Sequence, residues 1–273
     1  MSHIYTKSEL WTQLEALQIP RDRVFLMHSS LRLIGQIEGG ASALLDVLIE
    51  YFTAEGGLFC VPTHTWANLW ATDKEYTLDV CDTHTCLGAL SDLAVADGRG
   101  IRTENPTHSM VVFGARDKAE AFAKGEIDVI SGTAPESCYG KIYEMGGYVL
   151  LVGTSHARNT YLHSVDEMLQ IPNRITDTTT EVKIKRASGE VVTRRVKRHS
   201  CSFTNDISAR FPQFETAFRY HGAITDGFLG DAPVQACDAR IMKQVMELIF
   251  ARADKDPLSD EAALSPVWYV KKA

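Results

Sequence analysis

Residues 24–61 read VFLMHSSLRLIGQIEGGASALLDVLIEYFTAEGGLFCV. Val24–Met27 is an unbroken apolar run of strand length, and Leu58–Val61 is a second one, closed by Pro62. Between them a Ser- and Gly-rich passage leads into Ala41–Phe52, where apolar residues recur at helical spacing. Strand, loop, helix and strand in that order are the signature of an α/β protein. Working outward, residues 6–18 open with a Thr/Ser-x-x-Glu-like cap and carry Leu10, Leu14 and Leu17 on one helical face. Met110–Phe113 and Tyr148–Val152 read as further buried strands, and Val182–Ile184 with Val191–Val196 as a hairpin. Helices are predicted over Leu87–Ala96, Lys118–Ala123, Asn159–Leu169 (capped by Asn159) and Ala239–Arg252. No repeat, low-complexity tract or linker interrupts this order. The expectation is one mixed-sheet α/β domain over residues 1–273, with flanking helices and a β-hairpin elaboration.

Composition narrows the class. The 273 residues are 45% hydrophobic and 23% charged, ordinary for a globular protein. No apolar run approaches the roughly 20 residues of a membrane span, and MSHIYTKSELW lacks the layout of a secretion signal, so a cytoplasmic protein is expected. A net charge of −7 disfavours a nucleic-acid binder. The one basic cluster, Lys183–Lys197, reads as a hairpin with a solvated basic face. Six cysteines without C-x-x-C spacing argue against a disulfide framework or a zinc finger, and Cys81 and Cys86 are expected to be plain thiols.

Four segments carry the chemistry. His28, Ser29 and Ser30 begin a strand-to-helix passage that runs through Leu31, Arg32 and Gly35 to Gly39 and Gly40. Backbone N–H groups there favour an anionic ligand such as a pyrophosphate, although a purely structural turn has the same composition. After the YVLLV strand, Gly153 leads to Asn159, Thr160 and His163, with Asp166 and Glu167 three and four positions beyond it. An acid on the same helical face orients an imidazole and stabilises its protonated form, as a general base requires, and the spacing does not choose between the two acids. Pro62-Thr-His64-Thr-Trp66 and Asn105-Pro-Thr-His108-Ser109 add imidazoles and hydroxyls at strand ends. A metal site built on His28, His64 and His108 lacks the H-x-H or H-E-x-x-H pairing that would support it. Gln36-Ile-Glu-Gly39-Gly-Ala41 matches the pyrophosphate loop of an unrelated acetyltransferase superfamily, but follows the first strand rather than standing mid-domain.

Together these segments resemble the antibiotic N-acetyltransferase family, whose best-known members modify the 3-amine of aminoglycosides. The points of resemblance are HSSLR-x-x-G-x-x-x-GG, a strand ending in PTHTW, R-T-x-N-P-T-H-S before a strand, and VLLVGT followed by NT-x-x-H. The resemblance implies acetyl-CoA as donor, and on the missing ligand spacing no metal is expected. It places the CoA site on His28, Ser29, Ser30, Leu31, Arg32, Gly35, Gly39 and Gly40 together with His108, Ser109, Met110 and Val111. It makes His163 the catalytic histidine, with Asp166 or Glu167 as its acid; Thr160 or a backbone N–H of the loop is the expected oxyanion donor. His64, Trp66 and Glu215 are the candidates for a small, cationic amine acceptor, with Asp73, Glu75, Asp79, Asp82 and Asp166 as further carboxylates. Asn105 departs from the family, which often has His there. An acetyl-cysteine route through Cys86 or Cys138 is the alternative mechanism, an amine other than an aminoglycoside the alternative acceptor, and a metal-dependent hydrolase the alternative function.

Overall fold

The computed structural model describes residues 3–70, 76–82 and 84–271. In chain order it begins with β1 (Ile4–Tyr5) and α1 (Lys7–Glu15), which opens on the capping box spelled by Thr6 and Glu9. Then come β2 (Val24–Ser29), a single helical turn α2 (Leu31–Ile34), β3 (Gln36–Ile37), α3 (Gly40–Thr53) and β4 (Leu58–Pro62). Next follow α4 (Trp66–Trp70), β5 (Thr77–Asp79), α5 (Ala89–Asp97), β6 (Ile101–Arg102), β7 (Met110–Phe113), α6 (Arg116–Ala123) and α7 (Cys138–Glu144). The remainder is β8 (Tyr148–Val152), α8 (Tyr161–Met168), β9 (Thr180–Lys185), β10 (Val191–Val196), α9 (Glu215–Tyr220), β11 (Ile224–Leu229), β12 (Ala232–Asp238) and α10 (Ala239–Arg252).

Seven of these strands form the central sheet, in the order β11-β12-β8-β2-β4-β7-β6. β2 runs parallel to β4 on one side and to β8 on the other, and antiparallel pairs flank this trio at both edges. The apolar runs follow from burial of both sheet faces. Successive side chains alternate, so Val24, Leu26, Leu58, Cys60, Val149 and Leu151 pack with α7, α8, α9 and α10. Phe25, Met27, Phe59, Val61, Leu150 and Val152 pack with α1, α3 and α5 on the other face. The fold is the mixed α/β arrangement expected, with helices on both faces and the β9–β10 hairpin joined to β5 in a separate three-stranded sheet.

Three of the hairpin's basic residues form ion pairs while staying partly exposed: Arg194 bonds Asp128, Arg186 bonds Glu104, and Lys185 bonds Asp79. Helix α8 starts one residue later than predicted, because Asn159 turns inward to His156 Nδ1 instead of capping. Among the described residues no helix is long and apolar enough to cross a membrane.

Candidate active site

β2 is the point where the chain order of the parallel strands reverses, one neighbour lying to either side. In open α/β sheets such a switch point leaves a crevice at the strands' carboxyl ends. A cavity of about 800 Å³ opens there. His28 to Leu31 enter it from β2, Pro62, His64 and Trp66 from β4, and Thr154 and residues 157–160 from the loop after β8. β7 is antiparallel, so its amino end reaches the same place and delivers Thr107 and His108. All four chemistry-bearing segments therefore meet in one cavity.

Inside it the imidazoles form a row. The ring centroids of His28 and His64 lie 6.5 Å apart, His64 and His108 4.7 Å, and His108 and His199 4.9 Å. His199 and His163 are stacked at 3.9 Å with 13° between their planes. Burial holds these rings in the neutral form: His28 is pushed down to about 3 and His199 to about 4, while His64, His108 and His163 are lowered well below the ordinary imidazole value. His163 is half-buried, with Phe211 edge-on to its ring at 4.9 Å, and no side-chain hydrogen bond occupies its nitrogens among the described residues. Thr160 precedes it at the helix start, where its hydroxyl makes no capping bond.

Neither acid bonds His163 directly. Asp166 is fully buried against Arg174, 3.0 Å away, and the same guanidinium bonds Asp256 at 2.7 Å. Burial raises Asp166 to about 7, with Arg174 opposing that rise. The Glu167 carboxylate accepts the Ser131 hydroxyl (2.8 and 2.6 Å) and the Thr133 hydroxyl (2.6 Å).

His108 is held by a buried clip. Asn105 Nδ2 donates to Glu126 Oε2 (3.0 Å) and Gly132 O (2.9 Å), while Asn105 Oδ1 accepts from Thr107 N (3.2 Å) and His108 N (2.8 Å). A Cβ on Gly132 would lie 2.0 Å from His108 Nδ1, so only glycine lets this turn close on the ring. Asn105 is thus a structural clasp rather than a cavity wall.

Several expected site residues stand elsewhere. Arg32, Gly35, Gly39 and Gly40 are not walls of the cavity. Ser109 donates to Thr63 O at 2.8 Å across the β4–β7 junction, and Met110 and Val111 are sheet core. Glu215 is bonded by Arg219 and Gln235, both at 2.9 Å, outside the cavity. Asp79 is paired with Lys185, Asp82 is no wall of the cavity, and Asp73 and Glu75 lie outside the described residues. Cys138 is buried away from the cavity beside Glu126, and Cys86 lines it. Burial raises both thiols, the opposite of nucleophile activation. His64 Nε2 is engaged by the Tyr139 hydroxyl at 2.6 Å, and among the described residues no three His, Cys, Asp or Glu are grouped as metal ligands. His199, Thr133 and Ser131 carry no mark in the sequence. They come from isolated β-bridges and a turn, with no periodicity and no motif to single them out.

A crevice at the carboxyl ends of parallel strands, with imidazoles and hydroxyls converging on it, defines the ligand site of an open α/β protein. Residues 26–251 match the aminoglycoside 3-N-acetyltransferase family, and the chain belongs to it. Two curated relatives are similar. The SPbeta prophage-derived aminoglycoside N(3')-acetyltransferase-like protein YokD of Bacillus subtilis is 26% identical over 175 residues, covering 58% of this chain. Aminoglycoside N(3)-acetyltransferase IV of Salmonella sp. is 27% identical over 172 residues, covering 63% of it. The matches span 63% and 62% of the length of those relatives. Among solved structures, AAC-IIIb as a binary complex with CoASH superposes with a TM-score of 0.77 at 21% identity, covering 93% of this chain and 100% of its own. A mutant of aminoglycoside acetyltransferase AAC(3)-IVa in complex with a gentamicin superposes at 0.76 and 23% identity, covering 92% and 90%. These likenesses establish the shared fold.

Proposed function

We propose that this chain, acting as one domain over residues 1–273, transfers an acetyl group from acetyl-CoA to an amine of an aminoglycoside, with His163 as general base. The observation that carries this reading is the placement of His163: a half-buried imidazole with unpartnered nitrogens among the described residues, in a cavity reached by every family segment. The family and the names of the relatives support acetyl transfer. The cavity fits a bound small molecule in size, since such sites occupy about 300–1,000 Å³. It fits in chemistry too, because His28 Nε2 and Asn159 Oδ1 are buried on its wall without a protein partner.

Bound acetyl-CoA would supply the thioester. His28, Ser29, Ser30, Leu31 and His108 would hold it, with exposed Arg32 beside them for its phosphates. His163 accepts the proton of the attacking amine and returns it to the departing sulfur as a carbon–nitrogen bond replaces the carbon–sulfur bond. A neutral imidazole at working pH is the form that can do this, and burial keeps His163 neutral. Thr160, whose hydroxyl is unused as a cap, is the donor available to the carbonyl oxygen. His64 and Trp66 form the wall left for the acceptor.

One observation favours a second acceptor. Among the described residues the cavity wall carries Arg158, Lys197 and Arg198 but a single carboxylate, Asp206. An amine of lower positive charge than an aminoglycoside suits that balance. The test is acetyl-CoA turnover against gentamicin, sisomicin and apramycin, with singly charged amines alongside and acetylated products identified by mass. Acetylated aminoglycoside is the expected result. Turnover confined to singly charged amines selects the second acceptor, and no turnover with any amine contradicts both.

A further inference from the structure

The unexplained contact in this site is the face-to-face pair of imidazoles. His163 touches no acid, yet two carboxylates, Asp166 and Glu167, stand on its own helix, and one of them reaches the pair by a longer route. The Glu167 side chain is 7% exposed and collects three hydroxyl contacts, which hold it as an acceptor. Thr133 has one hydroxyl proton and gives it to Glu167 at 2.6 Å, so its oxygen faces His199 Nε2, 2.8 Å away, as an acceptor. His199 must then carry its proton on Nε2 and donate it to Thr133. Glu167 Oε1 itself stands 4.0 Å from that nitrogen, too far for a direct bond. The path is a carboxylate, a hydroxyl and an imidazole, ending in a ring stacked at 3.9 Å on the ring of His163.

We propose that His199 is a positioning residue for His163, and that Glu167 stabilises the protonated base through Thr133 and the stacked His199 ring rather than by direct contact. This rests on His163 being the base. A neutral ring that donates its N–H to a hydroxyl itself bound to a carboxylate is electron-rich on its face, and a cation over such a face is attracted to it. The stack also fixes the plane of His163, whose other ring contact among the described residues is Phe211 on its edge. Asp166, one residue earlier, is tied to Arg174 and Asp256 and serves the fold. The other charged and titratable groups around the pair and its carboxylate are Arg174 and Lys197, Asp206 and Glu136, and His64 and His108. None of them bonds either ring among the described residues.

The test is the pH profile of kcat/KM for single and paired variants of the full chain, with thermal melts to verify folding. Removing the carboxylate's charge lowers the pKa of His163, so the acidic limb moves to lower pH. Glu167→Gln and Thr133→Val are each expected to shift it downward by about half a unit to one unit and to lower turnover on the order of tenfold. Thr133→Ser, which keeps the hydroxyl, restores both. His199→Phe keeps a stacked ring without nitrogens. It should shift the limb as far, and Glu167→Gln added to it should change nothing further, because both lie on one path. If Glu167→Gln moves the limb equally in wild type and in the His199→Phe background, the carboxylate does not act through His199 and the proposal is overturned. An unmoved limb in all three variants overturns it as well. The base itself is judged separately: His163→Ala with more than a tenth of wild-type turnover removes the premise, whereas an inactive His163→Ala beside a normal His199→Phe removes only the relay.

Discussion

The passages after β2 and after β8 leave adjacent parallel strands at the same edge of the sheet, and both are built from Ser, Thr, Gly and His. They are used differently. After β8 the chain keeps returning to the cavity, at Thr154, at residues 157–160 and at His163. After β2 it stays only from His28 to Leu31, then leaves through α2 and β3, which pairs with β1. Gly35 has φ +90° and a Cβ there would come 2.5 Å from Asp231 Oδ2, so that glycine serves a backbone reversal. Similar residues at similar strand ends thus divide into cavity wall and fold hinge, and backbone geometry decides which is which.

The largest effect should come from the β8 side. His163→Ala is expected to lower turnover about a hundred- to ten-thousand-fold, as loss of a general base does. Retention of more than a tenth of wild-type turnover would place the base elsewhere. Next in size, Arg174→Ala strands Asp166 as a buried, uncompensated carboxylate and should cost about 3–5 kcal/mol in urea unfolding. A loss under about 1 kcal/mol would mean that the pair is not buried as described. On the β2 side, Gly35→Ala should cost about 1–3 kcal/mol through strain while leaving the CoA Michaelis constant within twofold. Gly40→Ala should behave likewise. A tenfold rise in that constant for either variant would make the two passages alike after all.

The smallest effect is a pH dependence of stability. His28, His64, His108, His156, His163 and His199 are all lowered by burial, three of them to about 3 or 4. Unfolded imidazoles protonate near 6.5 and the folded ones do not, so stability is full above about 6.5 and is lost as pH falls toward 4. Asp166, Glu126 and Glu167, raised by burial, act in the opposite direction. Six imidazoles against three carboxyls should give a melting temperature that falls from pH 7 to pH 5, read by differential scanning fluorimetry. A rise over that range would show the carboxyls dominating.

What could be read from the sequence was what local pattern encodes. VFLM, LFCV, MVVF and YVLLV are apolar at every position because helices cover both sheet faces, and α10 shows its periodicity without interruption. β11 and β12 were illegible because β11 is an edge strand with half its residues exposed, and β12 carries Pro233 and Gln235 within it. The site divides the same way. His28, His64, His108 and His163 each follow or precede a legible strand, so their convergence follows from strand order. His199 stands 36 positions from His163 and reaches it only through the path of the hairpin, which no local spacing records. The partner of Asp166 was hidden for a related reason: Arg174 lies beyond the end of α8, in a coil that folds back under it.

The measurement that bears most directly on the account is a crystal structure of this chain with CoA bound. The expected result is the pantetheine arm in the cavity, against His28–Leu31 and His108, with its sulfur directed to His163 and with Gly39 and Gly40 outside the contact. Density for CoA along Gly39–Gly40, or anywhere that leaves the row of imidazoles untouched, would contradict it.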